Sequence, residues 1–362
     1  MKNFWRELKR PFFCLAPMSD VTDIAFRRIL AKYSKNRENK DSVVFWTEFV
    51  AADGLANKLA KKKLSHILKY SEAERPIVAQ VFGANPENME KACSYIASLG
   101  FDGIDINMGC PDKSVVAQGA GSGLIKTPLL ARKIIQAAHA GIKSAGLHIP
   151  VSVKTRVGFN KEDINNWIPE LLKEDISALT IHLRTTKELS LVPANWDYIK
   201  KIKELIKKSG KDILLIGNGD VKDLKDAEEK ALKYGCDGIM IGRGVFGNPF
   251  FFDKNYRSSE FSAPAPFAVP DKVAVGPSGT KNSEELSFIE ERLKILIEHT
   301  QLFDKELAIP KHKSFAVMKK HFKAYVNDFP GAKELRVKLM ETENAREVEK
   351  TIKDFLKLTN PR

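Results

Sequence analysis

One of the four cysteines in the chain has a position suited to chemistry. Cys110 lies where an alternating apolar stretch, GIDINMG at 103–109, runs into a Gly-Cys-Pro turn. A thiol just past a strand can act as a nucleophile or as a general acid, and its spacing alone does not decide between the two. Cys14, Cys93 and Cys236 fall within apolar strand or helix patterns, which predicts inert packing for them.

Two glycine-containing turns further along the chain are suited to binding a phosphate. They are Asn218-Gly219-Asp220 and Gly242-Arg243-Gly244, and each directly follows an apolar run. Glycine lets the backbone approach a ligand, exposed N–H groups bind anions, and an arginine can hold a phosphate with two N–H groups. Tight turns that need a positive φ would explain either segment taken alone.

Gln80 and Lys154 lie within apolar runs, where a polar side chain needs a partner. Together with the two glycine turns, they indicate a cradle for flavin mononucleotide (FMN). An amide such as that of Gln80 can bond the polar edge of the ring system, and a cation such as Lys154 can stabilise negative charge on the reduced ring. The alternative for Lys154 is an ion pair with a carboxylate of the fold.

Regularly spaced β-branched runs predict the elements that position these residues. Helix-like stretches alternate with them, which is the pattern of an α/β protein built as a (β/α)8 TIM barrel, whose functional groups gather at the carboxyl ends of the strands. A doubly wound sheet is the alternative, but the chain lacks a dinucleotide fingerprint. GAGSGLIKT at 119–127 fails the Walker spacing and is predicted to be a loop. The predicted strands are 12–17, 42–49, 76–83, 103–109, 150–156, 178–184, 212–220 and 237–244.

Composition divides the chain into three parts. Residues 1–254 carry the predicted barrel, and residues 255–286 are rich in Pro, Ser and Gly, which predicts a linker or insertion. Residues 287–362 have helical periodicity, so we expect a small all-helical C-terminal domain.

The charge balance favours a polyanionic partner, because Lys and Arg number 59 against 46 Asp and Glu, a net charge of +13.

The four cysteines and seven histidines show no metal-ligand spacing, so we expect neither a metal nor a disulfide. The apolar run near the start is broken by Pro11 and Pro17, so we expect no signal peptide and no membrane association. We therefore expect a cytoplasmic protein, and nothing demands more than a monomer.

Eight segments, in order, resemble the tRNA-dihydrouridine synthase family of the bacterial type. The C-terminal segment that starts at MKKHFKAYVNDFPGAKELR is similar to the helical tail of that family, so the resemblance covers nearly the whole chain. The eight segments are APMSDVTDIAFRRI, TEFVAADGL, ERPIVAQVFG, DGIDINMGCP, VSVKTRVGF, LTIHLRT, LLIGNGDV and DGIMIGRGVFGNPFFF.

The resemblance implies an FMN enzyme that reduces the C5–C6 double bond of specific uridines in tRNA, with NADPH as the electron donor. Reduced flavin would deliver hydride to C6, and Cys110 would protonate C5. The implied flavin contacts are Pro17, Met18, Ser19, Gln80, Lys154, His182, Asn218, Gly219, Asp220, Gly242 and Arg243. The implied substrate contacts are Asn107, Arg156, Arg184, Lys319, Lys320, Lys323 and Arg336, of which the last four lie in a basic part of the tail that would otherwise be a solvated helical face.

Two other functions fit parts of this pattern. A different FMN barrel oxidoreductase, similar to a dihydroorotate dehydrogenase or an ene-reductase, would act on a small metabolite but gives no reason for the basic tail. An RNA-binding factor could keep the barrel without redox activity.

Within the family pattern, Glu188 stands where Gln is usual and Val192 where Gly is usual, so we expect the loop after the sixth strand to differ.

Overall fold

The computed structural model describes residues 3–35, 42–253 and 283–359 of the chain. The chain divides into two compact units: one runs to Asp23 and continues from Lys35 to Gly242, and the other contains Ile24–Ser34 and the chain from Arg243 onward. The expected linker at 255–286 lies outside the described residues up to position 282, so the boundaries at 254 and 287 remain predictions.

The first unit contains a closed barrel of eight parallel strands in sequential order. The last strand pairs with the first, from Phe12 beside Gly238 to Leu15 beside Ile241, which closes the barrel. The predicted TIM barrel and its helical C-terminal region are confirmed. The strands are β1 (Phe12–Leu15), β2 (Val43–Ala51), β3 (Ile77–Phe82), β4 (Gly103–Met108), β5 (Val151–Arg156), β6 (Ala178–His182), β7 (Leu214–Asn218) and β8 (Gly238–Ile241).

Helices follow the strands as the alternating pattern predicts. The helix after β1 is α1 (Ile24–Ser34), and it belongs to the second compact unit. The helices of the barrel unit are α2 (Ala52–Ala56), α3 (Lys58–Leu64), α4 (Pro86–Ser98), α5 (Lys113–Ala117), α6 (Pro128–Ser144), α7 (Ile164–Leu172), α8 (Tyr198–Ser209) and α9 (Leu224–Tyr234).

The inner face of the barrel changes from apolar to polar toward the carboxyl ends of the strands. In β7, Leu214 and Ile216 belong to an apolar cluster that also includes Trp5, Cys14 and Met240. Asn218 follows two residues after Ile216 and therefore lies on the same face of the strand. The apolar residues therefore fill the inside of the barrel. The polar residues lie toward the carboxyl ends of the strands, where ligands bind in this fold.

Among its described residues, the second unit contains α1 and four further α-helices. Its core includes Phe26 of α1, whose ring lies 5.5 Å from the ring of His299 and 5.3 Å from that of His321. Burial lowers the pKa of His299 to about 3, so this imidazole is neutral and packs as an apolar ring. The four helices are α10 (Ser283–Phe303), α11 (Lys319–Tyr325), α12 (Ala332–Met340) and α13 (Ala345–Thr359).

Within the described parts of the chain, no helix is both long and apolar enough to cross a membrane.

Helices α4 and α6 cross closely enough to exclude a side chain. A Cβ atom added at Gly141 of α6 would lie 2.1 Å from the carbonyl oxygen of Glu90 in α4, which is backbone and cannot rotate away. Glycine at this helix-interior position therefore reflects contact between the two backbones.

We predict that Gly141→Ala lowers the free energy of unfolding by about 1–3 kcal/mol, the usual range for an overpacked site. Helix propensity alone predicts the opposite sign, a gain of up to about 1 kcal/mol. Thermal and urea unfolding measure the difference, with Ala140→Ser at the exposed neighbouring position as the control. A melting temperature for Gly141→Ala above that of the wild type would contradict the close crossing.

Candidate active site

Strand register brings the predicted polar residues together on the inner face of the barrel. Asn107 of β4 pairs with Lys154 of β5, and Arg156 of β5 pairs with His182 of β6. His182 in turn pairs with Asn218 of β7. These residues, which are far apart in the sequence, therefore form a continuous band around the mouth of the barrel, as expected for this fold.

A chain of buried hydrogen bonds connects a barrel carboxylate to the cysteine turn. The Gln80 amide donates through Nε2 to Oδ2 of Asp105 at 2.7 Å and accepts at Oε1 from Nδ2 of Asn107 at 2.9 Å. The Asn107 Oδ1 then accepts from the backbone N–H groups of Gly109, at 3.1 Å, and Cys110, at 2.9 Å. Asp105, Gln80 and Asn107 are all buried, so this chain fixes where the cysteine backbone turns.

Asp105 is the negative charge at the base of this chain. Burial raises the pKa of its carboxyl group to about 6, while hydrogen bonds from Gln80 and Ser152 and the charge of Lys154 act in the opposite direction. The Ser152 Oγ donates to Oδ1 of Asp105 at 2.7 Å. Asp105 is therefore ionised at neutral pH and accepts hydrogen bonds on both oxygens.

Asp105 and Ser152 were missed by reasoning from the sequence. The signal was present, because Asp105 stands two residues before Asn107 in the alternating stretch 103–109 and therefore faces the same way. What the pattern does not reveal is that the carboxylate orients the amide of Gln80. Asp105 and Asn107 together take one N–H group and one carbonyl lone pair of the buried Gln80 amide.

Lys154 places an ammonium group in the barrel without a close counter-ion. Its Nζ donates to Oδ1 of Asn218 at 3.3 Å, and no carboxylate in the described part of the chain lies within 4.0 Å of it. The residue retains some accessible surface, yet burial lowers the pKa of its ammonium group to about 8, with the charge of Arg156 as the second cause. The alternative of a direct ion pair with a barrel carboxylate is therefore not realised, and the site suits an anionic ligand.

The turns after β7 and β8 pack closely against neighbouring parts of the barrel. Gly219 has a φ of 143° and is buried, and a Cβ atom there would lie 2.6 Å from Cβ of Ala194. A Cβ atom at half-buried Gly242 would lie 3.5 Å from Sδ of Met18, so the turns after β1 and β8 are neighbours. Glycine at position 219 therefore serves both the left-handed backbone conformation and the close approach of Ala194.

Cys110 is half-buried at the carboxyl end of β4. Burial raises the pKa of its thiol above the ordinary value, although the charges of Arg156 and Lys154 lower it in part. The thiol is therefore protonated at neutral pH, which favours a general acid over the thiolate that a nucleophile needs. The other three cysteines are buried, as predicted.

The segment expected to be a loop at 119–127 is ordered beside Cys110. Residues Gly121–Lys126 form a 3-10 turn whose first five residues are buried. The backbone N–H of Ser122 donates to the carbonyl oxygen of Cys110 at 3.0 Å. Gly121 has a φ of +57°, and a Cβ atom there would lie 2.9 Å from that same oxygen, so the close approach needs glycine.

The two arginines predicted to contact substrate also hold the protein backbone. Arg156 donates from Nε to the carbonyl oxygen of Gly109 at 2.8 Å and from Nη1 to that of Thr185 at 2.9 Å. Arg184 forms an ion pair with Asp220 and contacts Nε2 of His182 from Nη1 at 3.2 Å. Burial and the neighbouring Arg184 lower the pKa of Arg156 to about 10, so it remains charged at neutral pH.

The remaining predicted contacts have diverse surroundings. Pro17 and Met18 are half-buried and Ser19 is exposed. Arg243 starts a 3-10 turn in the second compact unit, directly after Gly242 in the chain.

The predicted tail contacts lie on α11 and α12. Lys320 and Lys323 are exposed on α11, and Lys319 is half-buried. Arg336 donates to the carbonyl oxygen of Val326 at 2.7 Å and so also has a structural role.

Comparison with known proteins finds one protein family whose profile matches nearly the whole chain. A profile described as dihydrouridine synthase (Dus) matches residues 14–360. A probable tRNA-dihydrouridine synthase 2 of Bacillus subtilis (strain 168) is 40% identical over 355 residues, which cover 98% of this chain and 97% of that protein. A probable tRNA-dihydrouridine synthase of Staphylococcus aureus (strain COL) is 39% identical over 355 residues, with 98% and 96% covered. Morphinone reductase in complex with tetrahydroNAD superposes with a TM-score of 0.42 and 12% identity over 66% of this chain and 84% of that one, which is too distant to carry an argument.

Asp105→Asn tests the buried charge through the pH dependence of stability. A carboxyl group whose folded pKa is raised stabilises the folded state below its unfolded pKa, and this contribution is lost as pH rises through about 6. We therefore compare the melting temperature of Asp105→Asn with that of the wild type at each pH. The difference, variant minus wild type, should be more positive at pH 8 than at pH 5. The same difference at both pH values would contradict a titrating carboxyl at this position.

Asp105→Ala tests the orientation of the Gln80 amide. Without an acceptor at position 105, the amide can rotate, and we expect FMN to bind about tenfold more weakly, as when a buried hydrogen-bond partner is removed. Asparagine retains an acceptor oxygen, so Asp105→Asn is the matched control and keeps FMN affinity near that of the wild type. Fluorescence titration of the apoprotein with FMN measures both, and equal affinity in Asp105→Ala and the wild type would refute the orienting role.

Proposed function

The chain belongs to the dihydrouridine synthase family, and on that premise we propose that it reduces the C5–C6 double bond of uridine in tRNA to 5,6-dihydrouridine. The proposed enzyme is a flavin-dependent oxidoreductase with bound FMN and with NADPH as electron donor. The observation that carries the proposal is the protonated thiol of Cys110, held at the barrel mouth beside an amide and an ammonium group that fit a flavin.

The proposed cradle uses side chains at the ends of β3, β5 and β7. Gln80 offers its remaining N–H group and lone pair to the polar edge of the ring, and Lys154 offers its charge. The backbone at Gly219 and Gly242 would hold the phosphate. When bound in this cradle and reduced, FMN would supply a hydride for C6 of the uracil.

The proton for C5 comes from Cys110 in this proposal. When the S–H bond breaks, negative charge develops on sulfur, and the charges of Arg156 and Lys154 stabilise it. Hydride and proton together saturate the double bond, and water restores the proton on the thiol. The Asn107 amide donates one N–H hydrogen to Gln80, so its second N–H hydrogen could contact a uracil carbonyl. Its Oδ1 already accepts from the cysteine turn.

A tRNA substrate fits the basic residues of the tail. A uridine stacked in folded RNA cannot reach the barrel mouth, so the base must be extruded. The exposed lysines of α11 are suited to hold the phosphate backbone during this step. The family profile spans the tail as well as the barrel, which favours tRNA over a free metabolite. We propose a monomeric, cytoplasmic enzyme that uses no metal.

Cys110→Ala should retain FMN and NADPH oxidation and lose at least about 100-fold in dihydrouridine formation, the usual contribution of a general acid. Cys93→Ala removes a packed cysteine of α4 and serves as the control. Single-turnover reduction of tRNA, quantified by mass spectrometry of nucleosides, measures the product. A full product yield from Cys110→Ala would exclude the acid role.

Lys319→Glu with Lys320→Glu should weaken tRNA binding and leave FMN content unchanged. Removing about two phosphate contacts also reduces the slope of log K against log salt by about 2. The control is Lys207→Glu with Lys208→Glu at the end of α8, which leads toward the amino ends of the strands. Equal tRNA affinities of the α11 variant and the wild type across the salt series would remove these lysines from the interface.

A further inference from the structure

The loop after β6 presents apolar side chains to water. We call residues 187–193 the mouth loop. Leu189 is 43% exposed, Leu191 is 83% exposed and Val192 is 40% exposed. Single exposed apolar residues are ordinary, but three within four positions form a patch that suggests a binding surface.

The mouth loop is held rigidly although its side chains point to solvent. Arg156 donates from Nη1 to the carbonyl oxygen of Leu189 at 3.1 Å, and Arg184 donates from Nε to that of Val192. Glu188 accepts from the backbone N–H of Thr185 at 2.6 Å, and its own N–H donates to Oγ1 of Thr185 at 3.3 Å. Two buried guanidinium groups thus fix a loop that buries little of its own apolar surface.

One of these anchors also reaches the reacting centre. The guanidinium of Arg156 that holds Leu189 donates from Nε to the carbonyl oxygen of Gly109, the residue before Cys110. The mouth loop and the cysteine turn are therefore attached to the same side chain.

We propose that the mouth loop is an apolar stacking surface for the nucleobases that flank the extruded uridine. This inference rests on the proposed function. Extrusion leaves a gap in the base stack, and apolar side chains are known to fill such gaps in nucleic acids. In RNA the apolar surface is the face of a base, and exposed Lys187 at the start of the loop suits the adjacent phosphate. The proximity to Cys110 and the net charge of +13 favour RNA over a second protein as the occupant.

The test is Leu191→Ser with Val192→Ser in the full-length FMN enzyme. We expect kcat/KM for tRNA to fall about tenfold, as for the loss of one base stack. FMN content, melting temperature and NADPH oxidation without tRNA should stay at wild-type values, because these side chains are exposed. Leu232→Ser on α9, where the side chain is 78% exposed, is the matched control and should keep full activity. Leu191→Phe should retain activity, since an aromatic ring stacks on bases.

A second readout reports on the RNA itself. After the modified uridine has been mapped, 2-aminopurine is placed next to it, and its fluorescence is followed on binding. We expect a change with the wild type and Leu232→Ser and a much smaller one with the double variant. Wild-type kcat/KM in the double variant, or an equal loss in Leu232→Ser, would overturn the inference, as would a change of oligomeric state confined to the double variant. Absence of dihydrouridine with the wild type itself would instead remove the proposed function.

Discussion

The active site depends on a single carboxylate, that of Asp105, buried inside the barrel. Asp105 fixes the amide of Gln80, Gln80 fixes Asn107, and Asn107 holds the backbone on which Cys110 turns. An amide has two chemically different ends, and only a partner of known polarity decides which end faces the ligand. An acceptor oxygen at position 105 supplies that polarity, so one acceptor at the base of the chain sets the direction of the hydrogen bonds that Gln80 and Asn107 form above it.

Charged side chains of both signs lie close together in the same part of the barrel. Lys154 and Arg156 lie close enough for the charge of Arg156 to lower the pKa of Lys154, and Arg184 does the same to Arg156. Three carboxylates counter them: Asp220 pairs with Arg184, Asp105 acts on Lys154 without a direct ion pair, and the charge of Glu188 acts on Arg156. Lys154, which has no direct ion pair among the described residues, is the cation suited to an anionic ligand. In the proposed function, a flavin phosphate or a reduced ring would supply that negative charge.

Much of the barrel can be predicted from the sequence, because period-two strand patterns and glycine turns are recognisable from short local segments. Register then places Asn107 beside Lys154 and His182 beside Asn218 without further information, since all carboxyl ends meet at one face. What the sequence could not reveal is how polar groups share partners. The sequence predicts Arg156 as a substrate contact, yet its three side-chain hydrogen bonds within the described part of the chain go to the carbonyls of Gly109, Thr185 and Leu189. The ordered turn at Gly121–Lys126 was also missed, because its order comes from packing against the Cys110 backbone.

In the role that we propose for Cys110, its environment would meet two opposing demands on an acid. A donor must hold its proton until the substrate is in place, which burial ensures by raising the pKa of the thiol. It must also release that proton, and the nearby charges of Arg156 and Lys154 stabilise the thiolate that results. Neither effect alone suffices, because an exposed thiol between two cations would ionise early and a thiol buried without them would not ionise at all. The half-buried position of Cys110, beside two cations whose own pKa values are lowered, balances the two effects within one turn of the backbone.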